Sequence, residues 1–150
     1  TNSADVQNGQ VSSALGSYIY NIINEKKYNF SNVILLNEIK NEEKLILNYR
    51  TYSNICESIG VVLNNAIDES RKIRNAKIIV KLTEDNCNYK IVIINNYKNK
   101  INISLLGTVE YTTKLNGHGY GLYSIFKNKN IKFKIEVHND IFKSIIIVKK

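Results

Sequence analysis

TTKLNGHGYGLYSI, residues 112–125, decides how the rest of this chain is read. Gly117, Gly119 and Gly121 stand at every second position, so three of the seven glycines fall within five residues. Two threonines and a lysine precede them, and an apolar run with helical spacing follows. Glycine tolerates positive φ and lets other atoms approach the backbone, so a tight loop is one reading. The other is an anion cradle, in which successive backbone N–H groups ending at a helix start near Leu122 present donors to phosphates. The spacing is not that of a dinucleotide fingerprint, and no Gly-Lys-Ser/Thr follows as in a Walker loop.

The chain around this stretch has 150 residues, enough for one domain with a hydrophobic core. Its longest apolar runs are strand-sized, well short of the roughly 18–20 residues that span a bilayer. It has no Met, which points to a segment of a longer protein, removal of an initiator Met being the other explanation. Residues 1–11 are polar and patternless and are expected to be a disordered end or a cloning scar, with the domain over 12–150. Cys56 and Cys87 lack the CxxC spacing of a zinc site, so a reduced pair is expected. The net charge of +8 favours anionic partners, but the lysines are spread along the whole chain and do not choose among them.

Hydrophobic periodicity supplies the elements. Leu15, Ile19, Ile22 and Ile23 have helical spacing. NVILLNEI and KLILNY read as two short strands around the charged turn KNEE. Ile55, Ile59, Val62, Ala66 and Ile73 form one stripe of a long helix from Tyr52 to about Ile73. AKIIVKLTED and NYKIVIIN make a hairpin, residues 97–117 are irregular, YGLYSIFKNK is a helix, and IKFKIEVH with FKSIIIVKK makes a last hairpin. Together these predict a two-layer α/β sandwich, with a mostly antiparallel sheet and helices on one face.

Two further motifs carry polar side chains into apolar surroundings. In GVVLNNAIDES, residues 60–70, Asn65 sits on the long helix among apolar neighbours, where an amide needs partners. Asp68 and Glu69 follow at three and four residues, on the same helix face. An Asn carbonyl is a good ligand for a hard cation, and magnesium is usually held by a few protein oxygens together with phosphates; a surface Asn/Asp face is the plainer reading. At the end of IVIINN, Asn95 and Asn96 stand where a side chain at the mouth of a sheet could hydrogen-bond a base; a turn-forming pair is the alternative.

The order of these motifs, a helix with Asn-Ala, a strand ending in a polar residue, a long irregular stretch and a GxGxG loop, resembles the GHKL ATPases over about residues 12–148. LNNAIDES is similar to the N box of Agr/VirS-type quorum-sensing receptor histidine kinases, usually L-x-N-A-I-E-A. IINNYKNK resembles their reduced first glycine box, with Asn in place of the usual Asp. TTKLNGHGYGLYSI resembles their S-T-K…G-x-G-L segment. The resemblance implies the Bergerat ATP-binding fold and a catalytic domain that binds ATP with Mg²⁺. Asn65 would contact the magnesium with Asp68 beside it, and Asn95 or Asn96 would face the adenine amino group. Thr113, Lys114, Gly117, His118, Gly119, Gly121 and Leu122 would surround the phosphates, His118 being either a lid residue or simply solvated.

Two departures from the pattern matter. Four residues before Asn65, where the family has Asn or Glu, stands Val61, so efficient ATP hydrolysis is not expected. The only histidines, His118 and His138, lack the context of the family's phosphoacceptor helix, and His138 is expected at a far turn. The resemblance therefore implies a histidine kinase whose acceptor histidine lies on a separate dimerisation domain. It further implies a response regulator downstream, a membrane-bound homodimeric bacterial parent, a cytoplasmic position for this domain and no nucleic-acid partner. Competing readings are an anti-sigma-type serine kinase of the same superfamily, which would want a carboxylate at position 61, and a basic nucleic-acid-binding module.

Overall fold

The computed structural model describes residues 13–98 and 119–150. Helix α1 (Ala14–Glu25) begins where the Ser13 hydroxyl accepts a bond from the Gly16 N–H, and where Glu42 Oε1 accepts one from the Ala14 N–H. It ends in a left-handed residue, Lys27 (φ 54°), after which the Tyr28 N–H reaches back to the Ile23 carbonyl at 3.0 Å. A 3₁₀ turn (Phe30–Asn32) leads into β1 (Val33–Asn37). Helix α2 (Glu42–Leu47) and the long α3 (Tyr49–Ser70) follow. The hairpin of β2 (Ile78–Glu84) and β3 (Asn88–Asn96) turns on Asp85, whose carboxylate accepts the Cys87 and Asn88 N–H groups. Helix α4 (Gly119–Lys127) and the hairpin of β4 (Ile131–His138) and β5 (Ile141–Lys149) complete the chain.

The five strands form one mixed sheet in the order β1-β2-β3-β5-β4. β1 runs parallel to β2 and every other pair is antiparallel. The parallel pair requires a crossover, and α3 supplies it by lying across β2, β3 and β5. Alternate strand residues face the helices: Val33 and Leu35, Ile78, Val80 and Leu82, Tyr89, Ile91 and Ile93, Ile146 and Val148. They meet Leu15, Ile19 and Ile23 of α1 and Ile55, Ile59, Leu63 and Ile67 of α3 in one core. Each such side chain, fully buried, stabilises the fold by about 1.5–3 kcal/mol relative to its exposed state. The two-layer α/β sandwich with a mostly antiparallel sheet is the expected fold.

Two local expectations are corrected. KLILNY is helix, not strand: the Asn41 side chain accepts the Lys44 N–H, and Glu42 and Glu43 occupy the first turn, where carboxylates favour a helix start. The charged turn KNEE is thus a cap, and Asn48 immediately caps the next helix through the Thr51 N–H. The long helix ends at Ser70, so Ile73 is in the following turn and not on its stripe. Helix α1 is part of the core. Residues 1–12, and the irregular stretch from 99 to 118 with Thr113, Lys114, Gly117 and His118, lie outside the described residues.

Candidate functional site

Helices α3 and α4 lie antiparallel, fixed by two contacts. At one end Asn128 Nδ2 donates to Asn54 Oδ1 at 3.1 Å. At the other, Gly121 lies against Val61, and a Cβ on Gly121 would come within 2.9 Å of Val61 Cγ1. The N-terminus of α4 therefore points along α3 in the direction of Asn65, one turn beyond Val61. The positive end of a helix dipole is thereby aimed at this part of α3. The Leu122 side chain is buried and anchors the helix.

Asn65 has both amide atoms, Oδ1 and Nδ2, buried without a hydrogen-bond partner among the described residues. Its neighbour Asn64 shows the contrast, folding its amide back onto the Gly60 carbonyl at 2.7 Å. A buried amide left unpaired costs about 1–3 kcal/mol, so a residue in this state is retained against the interest of stability. Asp68 and Glu69 do not join Asn65. The Asp68 carboxylate meets Lys26 Nζ at 2.7 Å, and that of Glu69 meets Lys72 Nζ at 2.9 Å.

The end of β3 is at the same end of the sandwich, because the turn after α3 leads directly into Ile78, the partner of Asn95. Asn95 continues the helix-facing series Tyr89, Ile91, Ile93 and is 3% exposed. Its Nδ2 donates to the Asn96 carbonyl at 2.8 Å. Asn96 points to the other face, where its oxygen accepts the Lys77 N–H at 3.1 Å. Phe142 stands directly across from Asn95 on β5, and Tyr97 packs edge-on against it with ring centroids 6.0 Å apart. Sequence reasoning missed Phe142, because only the strand register brings it beside Asn95. The turn before β5 is not remote either: the Asp140 carbonyl accepts the Tyr97 N–H, so His138 lies at this end of the sheet. It shares the open face with Asn96 and faces away from Asn95.

Groups whose pKa is displaced lie elsewhere. Burial raises Tyr18, Tyr52 (to about 12) and Cys56 around the N-terminal half of α3. Glu84, Asp85, Tyr89 and Lys150 are at the opposite end of the sheet, and Glu136 is on its open face. Among the described residues, neutral amides furnish the polar side chains of the site. Among the described residues no cluster of three His, Cys, Asp or Glu could hold a metal by itself.

This sandwich is the fold of histidine-kinase catalytic domains. The nucleotide-free catalytic domain of the histidine kinase ThkA superposes with a TM-score of 0.62 at 18% identity, over 91% of this chain and 93% of that one. The blue-light-activated histidine kinase of Erythrobacter litoralis gives 0.63 at 8% identity, over 89% of this chain and 40% of that one. The Acinetobacter baumannii histidine kinase AdeS gives 0.59 at 9% identity, over 91% and 65%. Residues 51–149 match the family model described as GHKL domain, and the chain belongs to that family. No curated protein sequence matches it.

Proposed function

We propose that this chain is the catalytic domain of a sensor histidine kinase, binding ATP with Mg²⁺ and passing the γ-phosphoryl group to a histidine on a separate dimerisation domain. The observation that carries the reading is the orphaned Asn65 amide, lying in the path of the α4 N-terminus. A carbonyl oxygen buried without a donor is a ready ligand for a hard cation, so the residue present fits magnesium. Asn65 would hold the ion, and Asp68, ion-paired to Lys26, would contribute at most from behind it. Bound Mg·ATP would supply the phosphoryl group and neutralise its charge.

The chain's own residues bind and orient. Asn95 is the adenine contact rather than Asn96. It faces the helices, its Nδ2 donates to the Asn96 carbonyl, and its oxygen would accept from the adenine amino group. Phe142 would form an apolar wall beside the base. Gly119 would keep the phosphate side of α4 free of side chains, with Gly117, His118, Lys114 and Thr113 ahead of it, while Gly121 lets α4 approach Val61 closely enough to bring its N-terminus near Asn65. The Val61 side chain fills the place where relatives that hydrolyse ATP carry a polar group. A hydrocarbon there cannot orient water, so hydrolysis is slow while transfer to a positioned histidine proceeds.

The resemblance to Agr/VirS-type receptors supports a quorum-sensing parent, a membrane-bound homodimer with this domain in the cytoplasm and a response regulator downstream. No helix among the described residues is long and apolar enough to cross a membrane, so an anchor would lie elsewhere in the parent. The test is radiolabelled ATP with the chain alone, then with the dimerisation domain of its parent. Label is expected only in the second mixture, on histidine and acid-labile. Acid-labile label on the lone chain, or rapid phosphate release without acceptor, would overturn the reading.

A further inference from the structure

The sheet face away from the helices carries an apolar patch that no helix or strand among the described residues covers. Ile34 and Leu36 of β1 are 47% and 43% exposed. Register places Ile34 beside Ile79 and Ile79 beside Ile94, and it places Val92 beside Ile145, with Ile147 one row further. Lysines ring these residues. Lys81 and Lys134 flank the Val92–Ile145 row, Lys90 and Lys132 flank Ile147, and Lys143 closes the Ile94 row. The one acidic side chain within these rows, Glu136, is already engaged by Lys134 at 3.1 Å and Lys143 at 3.8 Å.

We propose that this face docks an acidic amphipathic helix of a partner protein, its apolar ridge along Val92 and Ile94 and its carboxylates against the flanking lysines. Charge complementarity selects the partner. A second copy of the same face is disfavoured by its like charge. The strands' Tyr89, Phe133 and Phe142 all point to the helix side, which leaves no aromatic ring here for base stacking. Ile79, Val92, Ile94 and Ile147 are half-buried and Ile145 is buried, so the centre of the patch is recessed, with Ile34 and Leu36 standing at its β1 edge. A recess accepts a protruding ridge, whereas a lipid surface needs apolar side chains that project. Residues 1–12 and 99–118 contain only Asp5 and Glu110 as acids, so neither segment carries the row of carboxylates that these lysines would pair.

The experiment is a methyl NMR titration of this chain with a synthetic helical peptide of about 18 residues, roughly the length of β3. The peptide carries leucine on one face and glutamate on its flanks. Expected are shifts confined to Ile34, Ile79, Val92, Ile94, Ile145 and Ile147. Binding should weaken about tenfold in the Lys81→Glu, Lys90→Glu, Lys132→Glu triple variant and also weaken, by less, in Lys81→Glu alone. No shift on this face at millimolar peptide, or equal binding of a version with lysine for glutamate, overturns the proposal. So does a response on this face to phosphatidylglycerol vesicles or duplex DNA in place of the peptide.

Discussion

Gly121 presses its backbone against the side chain of Val61, so closely that any Cβ on residue 121 would lie 2.9 Å from Val61 Cγ1 and 3.3 Å from Cγ2. The last glycine of the Gly117–Gly121 series is therefore needed for helix packing, whatever its neighbours do for a phosphate. The same contact fixes the direction in which the α4 N-terminus points.

Gly121→Ala is expected to lower stability by about 1–3 kcal/mol through overpacking. Val61→Ala in the same chain should restore most of it, because it removes the two methyl groups involved. Denaturant melts of the four proteins in a double-mutant cycle measure the coupling. Additive effects would show that α4 does not rest on Val61.

Asn65→Leu should separate stability from function. Replacing an unpaired buried amide with an apolar side chain of similar size is expected to raise the stability of the free chain by about 1 kcal/mol. Magnesium-dependent binding of a fluorescent ATP analogue should be lost in the same variant. A destabilised protein would mean that the amide has partners, and retained nucleotide binding would remove Asn65 from the site.

The two asparagines at the end of β3 make opposite forecasts. Asn95→Ala should weaken ATP binding about tenfold, the worth of one hydrogen bond to the base. Asn96→Ala should leave affinity unchanged while costing about 1 kcal/mol of stability, since its oxygen holds the Lys77 N–H. Nucleotide titrations and thermal melts of both variants decide it, and a reversed pattern would mean that the base lies on the open face.

Glu84 governs part of the acid limb. Its carboxyl is held below the ordinary 4.5 chiefly by the hydrogen bond from Lys150, against the opposing effect of burial, with the Lys40 N–H also donating. A lowered folded-state pKa means that this stabilisation is full above the ordinary carboxylate range and is lost as pH falls below it, toward the folded value. Lys150 is correspondingly raised above 10.5, so the pair is intact from weakly acidic to weakly alkaline solution. Glu84→Gln should flatten the loss of stability below about pH 4.5. Unfolding midpoints measured from pH 7 to pH 3 provide the comparison.

Periodicity alone placed α1, α3, α4 and both hairpins, because each has one buried face and its apolar residues recur at the element's own spacing. It failed at KLILNY, where a run too short to show a period was settled by the Asn41 and Asn48 caps. The motifs were legible in the same local way. Asn65, Asn95 or Asn96 and the glycine series could be named as candidates, and the order of those motifs pointed to the GHKL family.

The sequence by itself determined the elements, the family and the residue types available for a nucleotide, all of which are properties of neighbours along the chain. The tertiary structure decided which residues face one another. Strand parity turns Asn95 inward and Asn96 outward, and sheet register sets Phe142 beside Asn95. The antiparallel crossing of α3 and α4 aims a helix N-terminus toward Asn65, while Lys26, just past the end of α1, claims Asp68. These relationships join residues tens of positions apart. They follow from how a whole layer of helices seats on a whole sheet, which no local spacing encodes.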